Sequence, residues 1–153
     1  MAFCKNISES AKQRILFMAE LDIVNLEEHI ERVAAALTQT PVTPKNLEFM
    51  VEVCMHLHEI YEEFSGHFVL KSVAQFKADS RAKSPGSLQK QFSRKRYHLK
   101  LLTELFLRGL FQHYKDIFPC LNELMVVSPE APHFLFSAGV VSDYFKIYGE
   151  KIF

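Results

Sequence analysis

Tryptophan is absent from the sequence, and glycine and proline are sparse, with five and six copies in 153 residues. So little of either excludes a collagen-like or low-complexity chain. Hydrophobic residues make up 48% and charged residues 24%, the balance of a chain that folds around an apolar core. No apolar run approaches the roughly 18 residues a membrane helix needs, because Lys, Arg, Glu or Asp interrupts every apolar stretch. A soluble protein without a membrane partner is the expectation. The opening, MAFCKNISES, has no basic segment leading into an apolar stretch, so no secretory signal is visible. The three cysteines, Cys4, Cys54 and Cys120, are odd in number and far apart, which argues against a disulfide framework and for a reducing compartment. A chain of this length usually forms one domain, here expected over residues 1–153.

Net charge is lacking too, since 18 Lys plus Arg balance 18 Asp plus Glu, but the zero conceals segregation. From Glu20 to Glu63 there are ten acids and two bases, net −8; from Lys71 to Lys100 there are nine bases and one acid, net +8. Screening confines each charge to about 8–10 Å at physiological salt, so each block acts locally with its own sign. Two readings stay open: the blocks neutralise each other across helix pairs, or one of them is an exposed binding face.

What the sequence does contain is helical periodicity. From about Ser8 to Glu20, Ala11, Ile15, Met18 and Ala19 share a face that Leu16 and Phe17 broaden. Asn25, with Glu28 three residues on, has capping-box spacing, and Leu26, Ile30, Val33, Ala34 and Leu37 follow as a stripe. Thr43 and Pro44 supply a cap and a first helical residue. Leu47, Met50, Val51, Cys54, Leu57, His58, Tyr61 and Phe64 then predict a five-turn helix ending at Ser65-Gly66. Phe68, Val69, Val73 and Phe76 predict a shorter one. Ala78 to Gln89, ADSRAKSPGSLQ, reads as a long loop. Phe92, Leu99, Leu102, Leu105, Phe106 and Leu110 predict a long helix reaching Gly109, and Ile117, Leu121, Leu124 and Met125 the next. Ser128 to Pro132 is a linker, and His133 to Phe153 a last helix interrupted at Gly139. Six or seven helices define an all-α chain of antiparallel pairs, either a bundle or a solenoid of helical hairpins.

Catalytic spacing is missing. There is no G-x-S-x-G, no phosphate-cradling glycine loop and no HExxH. Cys54, His56, His58 and Glu59 cluster in sequence, but helical residues two apart diverge by about 200°, and Cys54 with His58 on an apolar stripe reads as core. Glu59, Glu62 and Glu63 read as a solvated face. The 14 phenylalanines fall mostly on apolar stripes and suit core packing better than base stacking. We therefore expect no catalysis, no metal, no cofactor and no small-molecule substrate. The most suggestive group is Lys90, Arg94, Lys95, Arg96 and Lys100, a broad positive surface at a helix start. Placed there against the macrodipole, the bases call for an anion. That anion is either external, a phosphate backbone or an acidic protein, or internal, the acids of the Pro44 to Phe64 helix.

Arg96 to Phe111, RYHLKLLTELFLRGLF, resembles a signature of the middle domain of eukaryotic initiation factor 4G, the MIF4G domain, a HEAT-like stack of helical hairpins. The matching positions are Arg96, Leu101-Leu102, Glu104-Leu105 and Gly109-Leu110. NLEEHIERVAAAL (Asn25 to Leu37) and VCMHLHEIYEEFSGHFVLKSVAQF (Val53 to Phe76) are similar to the opening helices of the first such domain in the up-frameshift suppressor two family of nonsense-mediated mRNA decay factors. AFCKNISESAKQRI falls in a similar register, so the resemblance runs from about Ala2 to Met125. It implies a cytoplasmic scaffold with an armadillo-type fold that binds decay factors, an RNA helicase among them, with RNA binding and a perinuclear location as further expectations. A translation-initiation or splicing module docking on a DEAD-box RNA helicase is the alternative. The chain departs from the family pattern by stopping at Phe153, which predicts an incomplete stack with an uncovered apolar face.

Overall fold

The computed structural model describes residues 11–78 and 85–152. Seven α-helices occur among them: α1 Ala11–Ile23, α2 Ile30–Gln39, α3 Leu47–Ile60, α4 Phe64–Ala78, α5 Pro85–Leu107, α6 Phe118–Met125 and α7 Phe134–Ile152. Single 3-10 turns at Glu27–His29 and Tyr114–Asp116 precede α2 and α6. No strand occurs among the described residues, as the periodicity predicts.

The helices pack chiefly on the helix two places along the chain. α2 lies on α4 and α4 on α6, making one row; α3 lies on α5 and α5 on α7, making the other. The rows meet where α3 touches α4, α4 touches α5 and α6 touches α7. Next-but-one packing is what stacked helical hairpins produce, each hairpin contributing one helix to each row. The all-α, solenoid-like expectation is therefore met. α1 joins the second row through Phe17, whose ring meets Phe49 of α3 edge-on at 5.9 Å. One continuous apolar core runs through both rows.

The α2 stripe is as expected, with Ile30, Val33, Ala34 and Leu37 buried, but the helix starts at Ile30 and no capping box forms. The reason is Tyr61. Its hydroxyl accepts the Leu26 amide proton at 2.9 Å and donates to the Val24 carbonyl at 3.3 Å. Asn25 Oδ1 takes the Glu27 amide instead, at 3.0 Å, and the chain winds into a 3-10 turn. Holding Tyr61 in this way also ends α3 early, with Tyr61 at φ −120°, ψ 110°. The expected break at Ser65-Gly66 is thus moved back to residues 61–63, and Gly66 lies inside α4.

At its other end α3 begins at Leu47, not at Pro44. Buried Asn46 accepts the Thr43 amide at 2.7 Å and donates to the Pro41 carbonyl at 3.0 Å, fixing residues 44–46 as a turn. α1 also departs from expectation: Phe17 and Leu21 are buried, whereas Ile15 is 71% exposed and Ala19 faces water. Its expected start at Ser8 lies outside the described residues, as do Cys4, Phe153 and residues 79–84 of the expected loop. That loop ends sooner than ADSRAKSPGSLQ suggests, because Pro85 opens α5 at the position where a missing N–H is free of cost. α7 runs unbroken through Gly139. One glycine costs a helix about 1 kcal/mol, and burial of Ser137, Val140, Tyr144 and Tyr148 along one face outweighs it.

Gly109 stops α5. Its φ is +87°, its amide bonds the Phe106 carbonyl, and the Leu110 amide reaches back to Leu105, both at 3.0 Å, which is a Schellman termination. Gly109→Ala should therefore destabilise by about 1 kcal/mol through the left-handed backbone alone. Gly66→Ala should stabilise by about 0.5–1 kcal/mol, since Gly66 is exposed within α4 and an added methyl meets nothing within 4 Å. Urea denaturation of both variants tests the opposite signs.

Candidate binding surface

Because α5 begins at Pro85, Lys90 to Lys100 occupy its middle, beyond the first turn where a positive charge would oppose the dipole. The expected electrostatic penalty is thereby removed. Lys90 and Arg94 are exposed and carry no ion pair among the described residues. Lys100 is half-buried, its ammonium 5.1 Å from the Tyr97 ring centroid. Arg96 pairs with Asp143 of α7 at 3.2 Å.

Lys95 is turned inward and only 4% exposed. Its Nζ lies 3.1 Å from Glu123 Oε1 of α6, with the rings of Phe76 and Phe92 at 4.9 and 5.7 Å. Desolvating an ammonium is costly, and here a carboxylate and two aromatic faces compensate it. The five bases therefore do not form one open face, because packing between α4 and α6 removes Lys95 from it. Their internal partners come from α6 and α7, not from the Pro44 to Phe64 segment. The acidic and basic blocks do meet at Lys71 and Glu31, 3.2 Å apart on the surface.

Around this buried pair the thiols are quiet. Burial, and then the Glu123 charge, pushes the Cys120 thiol up to about 12, although Lys77 and Lys95 pull the other way. Burial raises Cys54 as well. Neither is a thiolate near neutral pH, so neither is a ready nucleophile or ligand. His56 Nε2 is spent on Asp22 at 2.7 Å. No group of three or more His, Cys, Asp or Glu side chains that would hold a metal occurs among the described residues.

The residues of the sequence signature bind α5 to its neighbours. Leu101, Leu102, Leu105 and Leu110 are buried, Arg96 holds Asp143, and Gly109 stops the helix. Burial alone would raise the Glu104 carboxyl. Hydrogen bonds from Arg108 and from the Tyr148 hydroxyl, the latter at 2.8 Å, outweigh that and hold it below its usual range. Tyr144 adds a buried hydroxyl that shares hydrogen bonds with Thr103 at 2.9 Å and Tyr114 at 2.8 Å.

Several recesses lie on the surface, two of them beside the α5 bases and the acidic α1–α2 connection. Arg94, Lys95 and His98 wall a cleft of about 120 Å³ against Thr38 to Val42, room for a few waters. A larger groove of about 660 Å³ lies where the segment joining α1 to α2 meets the end of α3, with Ile23, Val24 and Ile60 on it. No single stripe groups these three, because Val24 and Ile60 lie off the apolar stripes and Ile23 falls beyond the expected end of the first helix. That isolation, beside Glu27, Glu62 and Glu63, was the available signal.

The described residues form an all-α, solenoid-like stack of helical hairpins. No protein-family model matches the chain, and no solved structure matches it. The chain is similar to the regulator of nonsense transcripts UPF2 of Arabidopsis thaliana, with 29% identity over 117 residues. The match covers 71% of this chain and 9% of the length of the plant protein.

Replacing Lys95 by Ala should cost about 3 kcal/mol, the lower end for a broken buried pair because Glu123 keeps some contact with water. Lys95→Met with Glu123→Leu should recover most of it, whereas Lys90→Ala should change stability by less than about 0.5 kcal/mol. Equal effects at Lys95 and Lys90 in thermal unfolding would place Lys95 at the surface.

Proposed function

We propose that the chain is a non-catalytic scaffold of nonsense-mediated mRNA decay, a HEAT-like stack of the MIF4G type that binds decay-complex proteins, an RNA helicase among them, in the cytoplasm. The observation that carries this reading is the similarity to UPF2 across most of the chain. It is supported by a fold whose two rows leave long helical surfaces for partners and by the resemblance of the α5 signature. Protein binding is favoured over RNA binding because only Lys90 and Arg94, of the five α5 bases, are both exposed and outside any ion pair among the described residues. Those two cations support RNA contact as the second reading.

Immunoprecipitation of the tagged full chain from cell extract, with and without ribonuclease, tests this. Decay factors and their helicase should come down and survive ribonuclease. Recovery of initiation or splicing helicases in their place would overturn the decay reading and favour the alternative. For RNA, affinity for a single strand should fall with salt by about 0.7 log units per log unit for each phosphate contacted. Lys90→Ala with Arg94→Ala should then flatten the slope by up to about 1.4; an unchanged slope removes RNA from this surface.

A further inference from the structure

The acidic block keeps most of its charge open. Asp22 is paired with His56 and Glu31 with Lys71, but Glu27, Glu62 and Glu63 are exposed and carry no ion pair among the described residues. These three line the 660 Å³ groove together with Ile23, Val24 and Ile60, which are 83%, 51% and 46% exposed. Apolar side chains grouped at the surface inside a polar rim are the usual mark of a docking site. The floor is already fixed, because the Tyr61 hydroxyl ties Val24 to Leu26 and Asn25 holds Glu27. A partner would meet a formed surface and lose less free energy in ordering it.

From this arrangement we propose that the groove docks a basic amphipathic helix of a partner protein, with aliphatic side chains on Ile23, Val24 and Ile60 and Lys or Arg beside Glu27, Glu62 and Glu63. Charge selects the occupant. The segment from Glu20 to Glu63 has a net charge of −8, which repels nucleic acid and acidic peptides and speeds the approach of cationic ones. The inference names a partner chemistry for the scaffold and rests on that binding role. Its test contains no decay factor, so its failure and the failure of the decay reading are distinguishable.

The probe is a fluorescein-labelled Leu/Lys helix of about 16 residues, roughly four turns, with its leucines on one face. Anisotropy titration of the full chain should show saturable binding. Ile23→Ser with Ile60→Ser should weaken it about tenfold, as should Glu62→Lys with Glu63→Lys. Glu48→Lys with Glu52→Lys makes the same charge change on exposed α3 positions outside the groove, and should weaken it by about twofold at most. All these substitutions are at exposed positions, and dichroism would verify that each variant is folded. A peptide of the same composition with scrambled leucines should bind about tenfold less tightly. Equal losses in the two charge-reversal variants would overturn the proposal in favour of undirected attraction. So would binding unaffected by the serine substitutions, or concentration-dependent self-association of the chain that those substitutions abolish, which would assign the groove to a second copy.

Discussion

The three-sided burial of α5 is the contact on which the rest of the stack depends. α5 touches α3 and α7 in its own row and α4 across the core. Leu99, Leu101, Leu102 and Leu105 face more than one of these directions and are almost wholly buried. Each such side chain contributes about 1.5–3 kcal/mol when it leaves water. Without this helix the row from α3 to α7 would be broken. The polar links along α5 follow the same lines: Thr103 and Glu104 reach Tyr144 and Tyr148 of α7, and Lys95 reaches Glu123 of α6.

That burial explains why the two charge blocks end up so different. In the basic block, Lys95 is drawn inside and Arg96 is engaged across the seam, so that much of its charge is spent on the fold itself. The acidic block lies on helix faces and connections that pack nothing, and Glu27, Glu59, Glu62 and Glu63 stay in water. Among the described residues, a formally neutral chain thereby presents an acidic face more strongly than a basic one. Sequence arithmetic gave the blocks equal weight, whereas burial does not.

Legibility followed the number of buried faces on each helix. The α2 stripe could be read residue by residue because one face is buried and the other wet. α1 could not, since Ile15 and Leu16 are apolar yet exposed while Phe17 anchors the helix. Boundaries failed where a distant side chain decided them. Tyr61 ends α3 through backbone groups of the α1–α2 connection, 35 and 37 residues away. Lys95 was misread for a different reason. It stands in register between Phe92 and Leu99, on the α5 stripe itself, and only its charge made it look like surface. A lysine at a core position needs an acid such as Glu123 to arrive from elsewhere in the chain, and no local pattern announces that arrival. The groove at Ile23, Val24 and Ile60 was equally hidden, because it is assembled from segments more than 30 residues apart.

Amide hydrogen exchange on the full chain, resolved by peptide, bears most directly on the stack. Exchange by sub-global opening reports how much structure must come apart to expose each amide. Residues 99–105 of α5 should be the slowest to exchange, approaching the rate set by global unfolding, with α1 among the fastest helices. If residues 99–105 exchange as quickly as α1, α5 does not hold the row from α3 to α7 together, and the architecture given above is wrong.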